Sequence, residues 1–233
     1  MNNAPTLLDT VEHETGPDPQ WCVLWLHGLG ADGHDFAPIV PELVRRDWPA
    51  LRFVFPHAPA RAVTINGGAR MRAWYDIRSF DPGDLAHRAD LDGVDASVAQ
   101  VEALIEREGT RGIPPQRVLL AGFSQGGAVT LAAGIARAQP LAGLIALSTY
   151  LPLSPERARQ RLQPAATAQP LFMAHGSFDP VVPIAAGDAS AKAMQALGFQ
   201  VQWQHYPMQH QVCAEEIAQL GDWIGARFAA PMG

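Results

Sequence analysis

The chain predicts an α/β protein with a mostly parallel central sheet and helices on both faces. Three observations carry this prediction. Continuous apolar runs rich in strand formers recur along the chain, as in strands covered on both faces. Segments of helical period lie between them. At 233 residues, 48% hydrophobic and 17% charged, the chain is long enough and apolar enough for one sizeable buried core. A single domain over residues 1–233 is therefore expected.

The first strand is predicted at WCVLWLHG, residues 21–28, and the next at LRFVF, residues 51–55. Between them Phe36, Ile39, Val40, Leu43 and Val44 form an apolar stripe, with Pro38 and Pro41 tolerable only near a helix start. Residues 56–87 form a long stretch bearing Gly and Pro, and a loop of that length in a compact domain is commonly functional. Val94, Val98, Val101 and Ile105 mark a helix that should end at Gly109 as its C-cap. Strands follow at RVLLAG (117–122), LAGLIALS (141–148) and PLFMAHG (170–176). FQVQWQHY (199–206) alternates Val201, Trp203 and His205 with Gln202, Gln204 and Tyr206, which fits a half-exposed strand towards one edge. Cys213, Ile217, Leu220, Ile224 and Phe228 mark a last helix.

Charge and composition exclude several classes of function. The net charge is −6 and Lys and Arg do not cluster, which argues against a nucleic-acid surface and against strong attraction to anionic membranes. No apolar run approaches the ~20 residues of a membrane span, so stable membrane insertion is not expected. The opening residues, MNNAPTLLDTVEHETG, lack the basic start and apolar run of a secretory leader. Cys22 and Cys213, outside any CxxC pair, are expected to be buried free thiols. A reducing, cytoplasmic location fits.

In parallel α/β sheets, active sites lie at the carboxyl ends of strands. AGFSQGG, residues 121–127, holds G-x-S-x-G between a predicted strand and a predicted helix. A sharp turn there lifts the Ser124 hydroxyl clear of the sheet. It also aims the Gln125 N–H where an oxyanion would form, at the positive end of a helix. A serine nucleophile needs a base, and the base an orienting acid, in the order Ser, Asp, His for this arrangement. Of the three later histidines, His175 ends a strand ahead of the acid and His205 sits inside a strand. His210 occupies a strand-to-helix loop in the right order. Asp179 follows a strand and precedes Pro180, whereas Asp188 falls in a predicted helix and reads as solvated.

LHGLGADGHDF, residues 26–36, spells G-x-G-x-x-G at Gly28, Gly30 and Gly33 and invites a dinucleotide reading. That reading wants an acidic residue at the end of the second strand, and PHAP stands there instead. As an oxyanion loop, LHGLG supplies a backbone donor close to the substrate carbonyl, with Leu29 N–H the candidate and His27 fixing the loop.

Together these motifs resemble the small carboxylesterases, a family that includes acyl-protein thioesterases and lysophospholipases. LHGLGADGHDF, FPHAP, AWYDI, GFSQGGA, HGSFDPVVP and YPMQH follow the family's order from about Trp21 to Phe228. The resemblance implies an α/β-hydrolase fold without a separate cap domain. It implies Ser124 as nucleophile, Asp179 as acid, His210 as base, and Leu29 and Gln125 N–H groups as oxyanion donors. It places Trp74 near the acyl pocket as a substrate-binding residue. Family members acting on long lipid chains carry a strongly apolar segment before that Trp. Here TINGGARMR (64–72) is polar and basic, favouring short-to-medium acyl esters. The expected enzyme is a serine carboxylesterase with no cofactor and no metal, acting on a small-molecule ester. Thioesterase or lysophospholipase activity is the nearest alternative, and a non-catalytic binding protein of the same fold a remote one. The oligomeric state, monomer or homodimer, stays open.

Overall fold

A computed structural model of the chain describes residues 7–79 and 89–229. Its centre is a seven-stranded sheet in the order β1-β3-β2-β6-β7-β8-β9. The strands are β1 (Thr10–Glu14), β2 (Trp21–Leu26), β3 (Leu51–Pro56), β6 (Val118–Phe123), β7 (Gly143–Leu147), β8 (Leu171–Gly176) and β9 (Val201–Tyr206). All neighbours pair in parallel except β1, which runs antiparallel to β3. β9 is the edge strand its alternation predicts, although Tyr206 faces the core and His205 faces out, where its Nδ1 meets Ser177 Oγ at 3.2 Å.

Because successive strand residues point to opposite faces, β2 serves two cores. Cys22, Leu24 and Leu26 pack with α2 (Leu91–Thr110), α3 (Gln125–Ala136) and α5 (Ile184–Ala196) on one face. Trp21, Val23 and Trp25 pack with α1 (Val40–Leu43) and α6 (Ala214–Phe228) on the other. The remaining α-helix among the described residues, α4 (Pro155–Arg161), is capped at Ser154, whose hydroxyl accepts from Arg157 N–H.

Four expectations need correction. The stripe at Phe36–Val44 folds as a 3₁₀ turn, Ala37–Ile39, followed by the single turn of α1, because each proline can sit only in a first turn. Helix α2 runs through Gly109 to Thr110; the left-handed residue after it is Gly112, at φ 92°. Residues 56–87 are not one loop. They contain a two-stranded antiparallel ribbon of β4 (Ala60–Val63) and β5 (Ala69–Arg72), while 80–87 lie outside the described residues. Cys22 is a buried free thiol, but Cys213 is only half-buried, at the N-cap of α6.

Candidate active site

Ser124 sits between β6 and α3 at φ 54°, ψ −118°, a backbone region that non-glycine residues rarely adopt. The strain is held by its surroundings. Ser124 N–H donates to Leu147 O at 2.9 Å, and Thr149 Oγ1 donates to Ser124 O at 2.6 Å. The flanking glycines are steric requirements. A Cβ on Gly122 would lie 2.4 Å from the Gly126 carbonyl, and one on Gly126 would lie 2.3 Å from Leu26 O.

Asp179 and His210 reach this serine from the ends of β8 and β9. Their loops are tied together: Ser177 N–H donates to Tyr206 O at 2.8 Å and Phe178 N–H to Met208 O at 3.0 Å. His210 Nε2 lies 2.9 Å from Ser124 Oγ, and His210 Nδ1 lies 2.6 Å from Asp179 Oδ2. The carboxylate accepts only, so Nδ1 carries the proton and Nε2 offers its lone pair to the serine. The other carboxylate oxygen, Asp179 Oδ1, accepts from Val181 and Val182 N–H, both at 2.8 Å. Burial opposes ionisation of Asp179, but the hydrogen bonds from His210 and these amides outweigh it and hold its carboxyl below the ordinary value. The three predicted residues therefore form one continuous hydrogen-bonded run. His205 and Asp188 stand apart from it; Asp188 pairs with Lys192 one turn along α5.

Two residues passed over in the sequence support this run. His175 is fully buried behind Asp179; its Nε2–H donates to Val182 O at 2.8 Å, and burial keeps the ring neutral. It thereby braces the turn whose amides hold the carboxylate. The Phe123 ring packs on the His210 ring at 4.8 Å between centroids. His175 adjoins the acid in HGSFD and Phe123 is the x before Ser124, so adjacency to the motifs was the available cue.

The segments that carry the two predicted oxyanion donors meet at Ser124: Gln125 follows it in the chain, and a Cβ on Gly28, the neighbour of Leu29, would lie 3.4 Å from Ser124 Cβ. Gln125 is the first residue of α3, so its N–H lacks an intrahelical acceptor. Leu29 follows β2, and its N–H has no backbone acceptor among the described residues. His27 fixes this loop as expected. Its Nδ1–H donates to Gly28 O at 2.7 Å and its Nε2 accepts from Ala58 N–H at 3.1 Å, which defines a neutral ring. Burial lowers its pKa and favours that state. Gly30 takes φ 79°, and its N–H donates to Arg72 O on the ribbon at 2.9 Å. A Cβ on Gly33 would lie 2.4 Å from Phe55 O. The glycine spacing that resembles a dinucleotide turn is thus explained by a tight turn and close packing. Trp74 is wholly buried, and its indole N–H donates to His27 O at 2.9 Å.

Among the described residues, no group of three or more His, Cys, Asp or Glu side chains could hold a metal ion. No described helix is long and apolar enough to cross a membrane.

Comparison with known proteins agrees with this architecture. An acyl-protein thioesterase 1 from Neurospora crassa is 38% identical over 228 residues, covering 96% of this chain and 91% of that protein. A probable carboxylesterase from Oryza sativa subsp. japonica is 36% identical, covering 87% of this chain and 76% of that one. The crystal structure of Arabidopsis thaliana SOBER1 superposes with a TM-score of 0.83 at 31% identity, covering 89% of this chain and 99% of that one. The family model described as Phospholipase/Carboxylesterase matches residues 9–227. The chain belongs to this family: it has the α/β-hydrolase fold and is a serine hydrolase of the esterase and thioesterase type, acting on ester bonds.

Proposed function

We propose that the chain is a serine carboxylesterase that hydrolyses short-to-medium-chain acyl esters through an acyl-enzyme. The observation that carries this reading is the unbroken run from Ser124 Oγ through His210 to Asp179, at 2.9 and 2.6 Å. In the proposed reaction Ser124 Oγ attacks the ester carbonyl carbon while its proton passes to His210 Nε2. The carbonyl electrons collect on oxygen, held by Leu29 and Gln125 N–H. Asp179 stabilises the imidazolium and fixes the ring. Collapse of the intermediate expels the alcohol, which takes the proton from His210. A water molecule, deprotonated by the same Nε2, then releases the acid. The scheme uses no metal and no cofactor.

The acyl preference rests on the ribbon. Its second strand meets the oxyanion loop through the Gly30–Arg72 hydrogen bond, and in its tip, Thr64–Gly68, the one apolar side chain, Ile65, packs against the core and leaves polar residues and glycines outward. A polar tip offers little apolar surface to a long chain, and each CH₂ that finds no apolar cover forgoes up to ~0.8 kcal/mol. Thioesterase activity is the second reading, favoured by the name of the Neurospora crassa relative. The same donors and nucleophile would attack either carbonyl.

The test is a panel of p-nitrophenyl esters and matched thioesters from butanoyl to dodecanoyl. The optimum kcat/KM should fall at or below octanoyl, with ester exceeding thioester. An optimum at dodecanoyl would overturn the chain-length assignment, and a thioester preference would select the second reading.

A further inference from the structure

An oxyanion hole works only if its two N–H donors keep their separation and angle. Here the donors come from different parts of the chain, the β2 loop and the first turn of α3. The side chain of Gln125 is not aimed at the substrate site. It is buried, at 2% exposure, and both halves of its amide are used on the backbone of residues 74–75. Gln125 Oε1 accepts from Trp74 N–H at 2.8 Å, and Gln125 Nε2 donates to Tyr75 O at 2.8 Å. From the same residue, the Trp74 indole N–H donates to His27 O at 2.9 Å, two residues before Leu29. Trp74 O in turn accepts from Ser97 Oγ on α2. Residue 74 is thus bonded to one donor loop through its side chain, to the other through its backbone, and to a packed helix through its carbonyl.

We infer that Trp74 and the Gln125 side chain are positioning residues that set the geometry of the oxyanion hole by bracketing its two donors. The inference rests on the serine-hydrolase mechanism proposed above. It assigns Trp74 the role of a holder of the oxyanion loop in place of an acyl-pocket wall. The physical basis is that one segment fixes both sides. Losing either bond lets one donor drift relative to the other, and a misplacement of ~1 Å can cost about 10²-fold in rate. Substrate binding in the ground state depends far less on these donors, so the cost should fall on kcat.

The test uses Trp74→Phe, which keeps an aromatic ring but removes the indole N–H, and Gln125→Met, which keeps length but removes both amide bonds. Active sites are first counted by fluorophosphonate titration, so misfolded protein drops out of every rate. Two quantities are then measured per titrated site. One is kcat and KM for p-nitrophenyl butanoate. The other is the Ki of an alkyl trifluoromethyl ketone. Ser124 Oγ adds to this ketone's carbonyl carbon, the serine proton moves to His210 Nε2, and the carbonyl electrons become a hemiketal oxyanion.

Each variant should lose roughly 10–100-fold in kcat with KM within about threefold of wild type, and Ki should rise in parallel with the loss. Unchanged kcat and Ki per titrated site in both variants would overturn the inference. So would a shift of Trp74→Phe towards longer acyl chains with Ki unmoved, the outcome for a pocket wall. Absence of titratable sites in the wild-type protein would remove the underlying mechanism along with the inference. Titratable wild type with unaffected variants removes the inference alone.

Discussion

His210 and His205 lie five residues apart and have opposite fates, decided by the end of β9. His205 is still in the strand, exposed, and bonded to Ser177 Oγ. His210 lies beyond it, with Asp179 on one ring nitrogen and Ser124 on the other. His210→Ala should therefore lower kcat by at least about 10⁴-fold, the scale for a triad member. His205→Ala should leave kcat within about threefold, since it removes one exposed hydrogen bond. Steady-state kinetics on both variants checks this, and the reverse ranking would reassign the base. At this scale the sequence was informative. Ser124, Asp179 and His210 each follow a predicted strand in the required order; order set His175 aside, and places inside a strand and a helix set His205 and Asp188 aside. The bracket formed by Gln125 and Trp74 was not legible. It joins residues 51 apart through a side-chain amide and backbone groups, and no local pattern encodes such a meeting.

Elements explain where the reading of secondary structure succeeded. Strands β2, β3, β6, β7 and β8 were visible as apolar runs because both of their faces are covered. The ribbon β4–β5 was invisible because it buries little: along Ala60–Val63 only Val63 is buried, and none of Ala69–Arg72 is. Strand β1 was missed for the same reason, since none of its five residues is fully buried. Helix α6 carries a different lesson. Glu216 lies in its first turn, wholly buried, and neither carboxylate oxygen has a well-formed hydrogen bond among the described residues. Burial pushes its pKa up to about 8, the Cys213 N–H offsetting this only in part. The folded protein therefore holds a proton that the unfolded chain releases near 4.5. Stability is fully present below that value, declines as pH rises, and reaches its lower level above about pH 8. Glu216→Gln should flatten this decline. Its Tm should exceed wild type by about 4 °C or more at pH 8.5 and match it near pH 5, since roughly 1 kcal/mol moves Tm by 2–4 °C at this size. Thermal melts at the two pH values check this, and equal Tm differences at both would contradict it.

On the scale of the whole molecule, the parallel sheet brings four distant segments to one end. Leu29 follows β2, Ser124 follows β6, Asp179 follows β8 and His210 follows β9, and parallel pairing puts all four strand ends on the same side of the sheet. The fold class was legible because strand–helix alternation leaves few topologies that bury both faces. Residues at the carboxyl ends could then be ranked before any contact was known. Relatives of the chain are named both acyl-protein thioesterase and carboxylesterase, so the shared fold leaves the acyl and leaving groups to the loops.

The central claim is a covalent acyl-enzyme on Ser124. It is tested most directly by mixing the enzyme with p-nitrophenyl butanoate, quenching with acid before the first turnover ends, and mapping the mass gain by peptide mass spectrometry. The proposed mechanism predicts a burst of nitrophenol equal to the enzyme concentration and one butanoyl group, on the peptide containing Ser124. Ser124→Ala should show neither. Rapid hydrolysis by Ser124→Ala, or a butanoyl group trapped on a different residue, would contradict it.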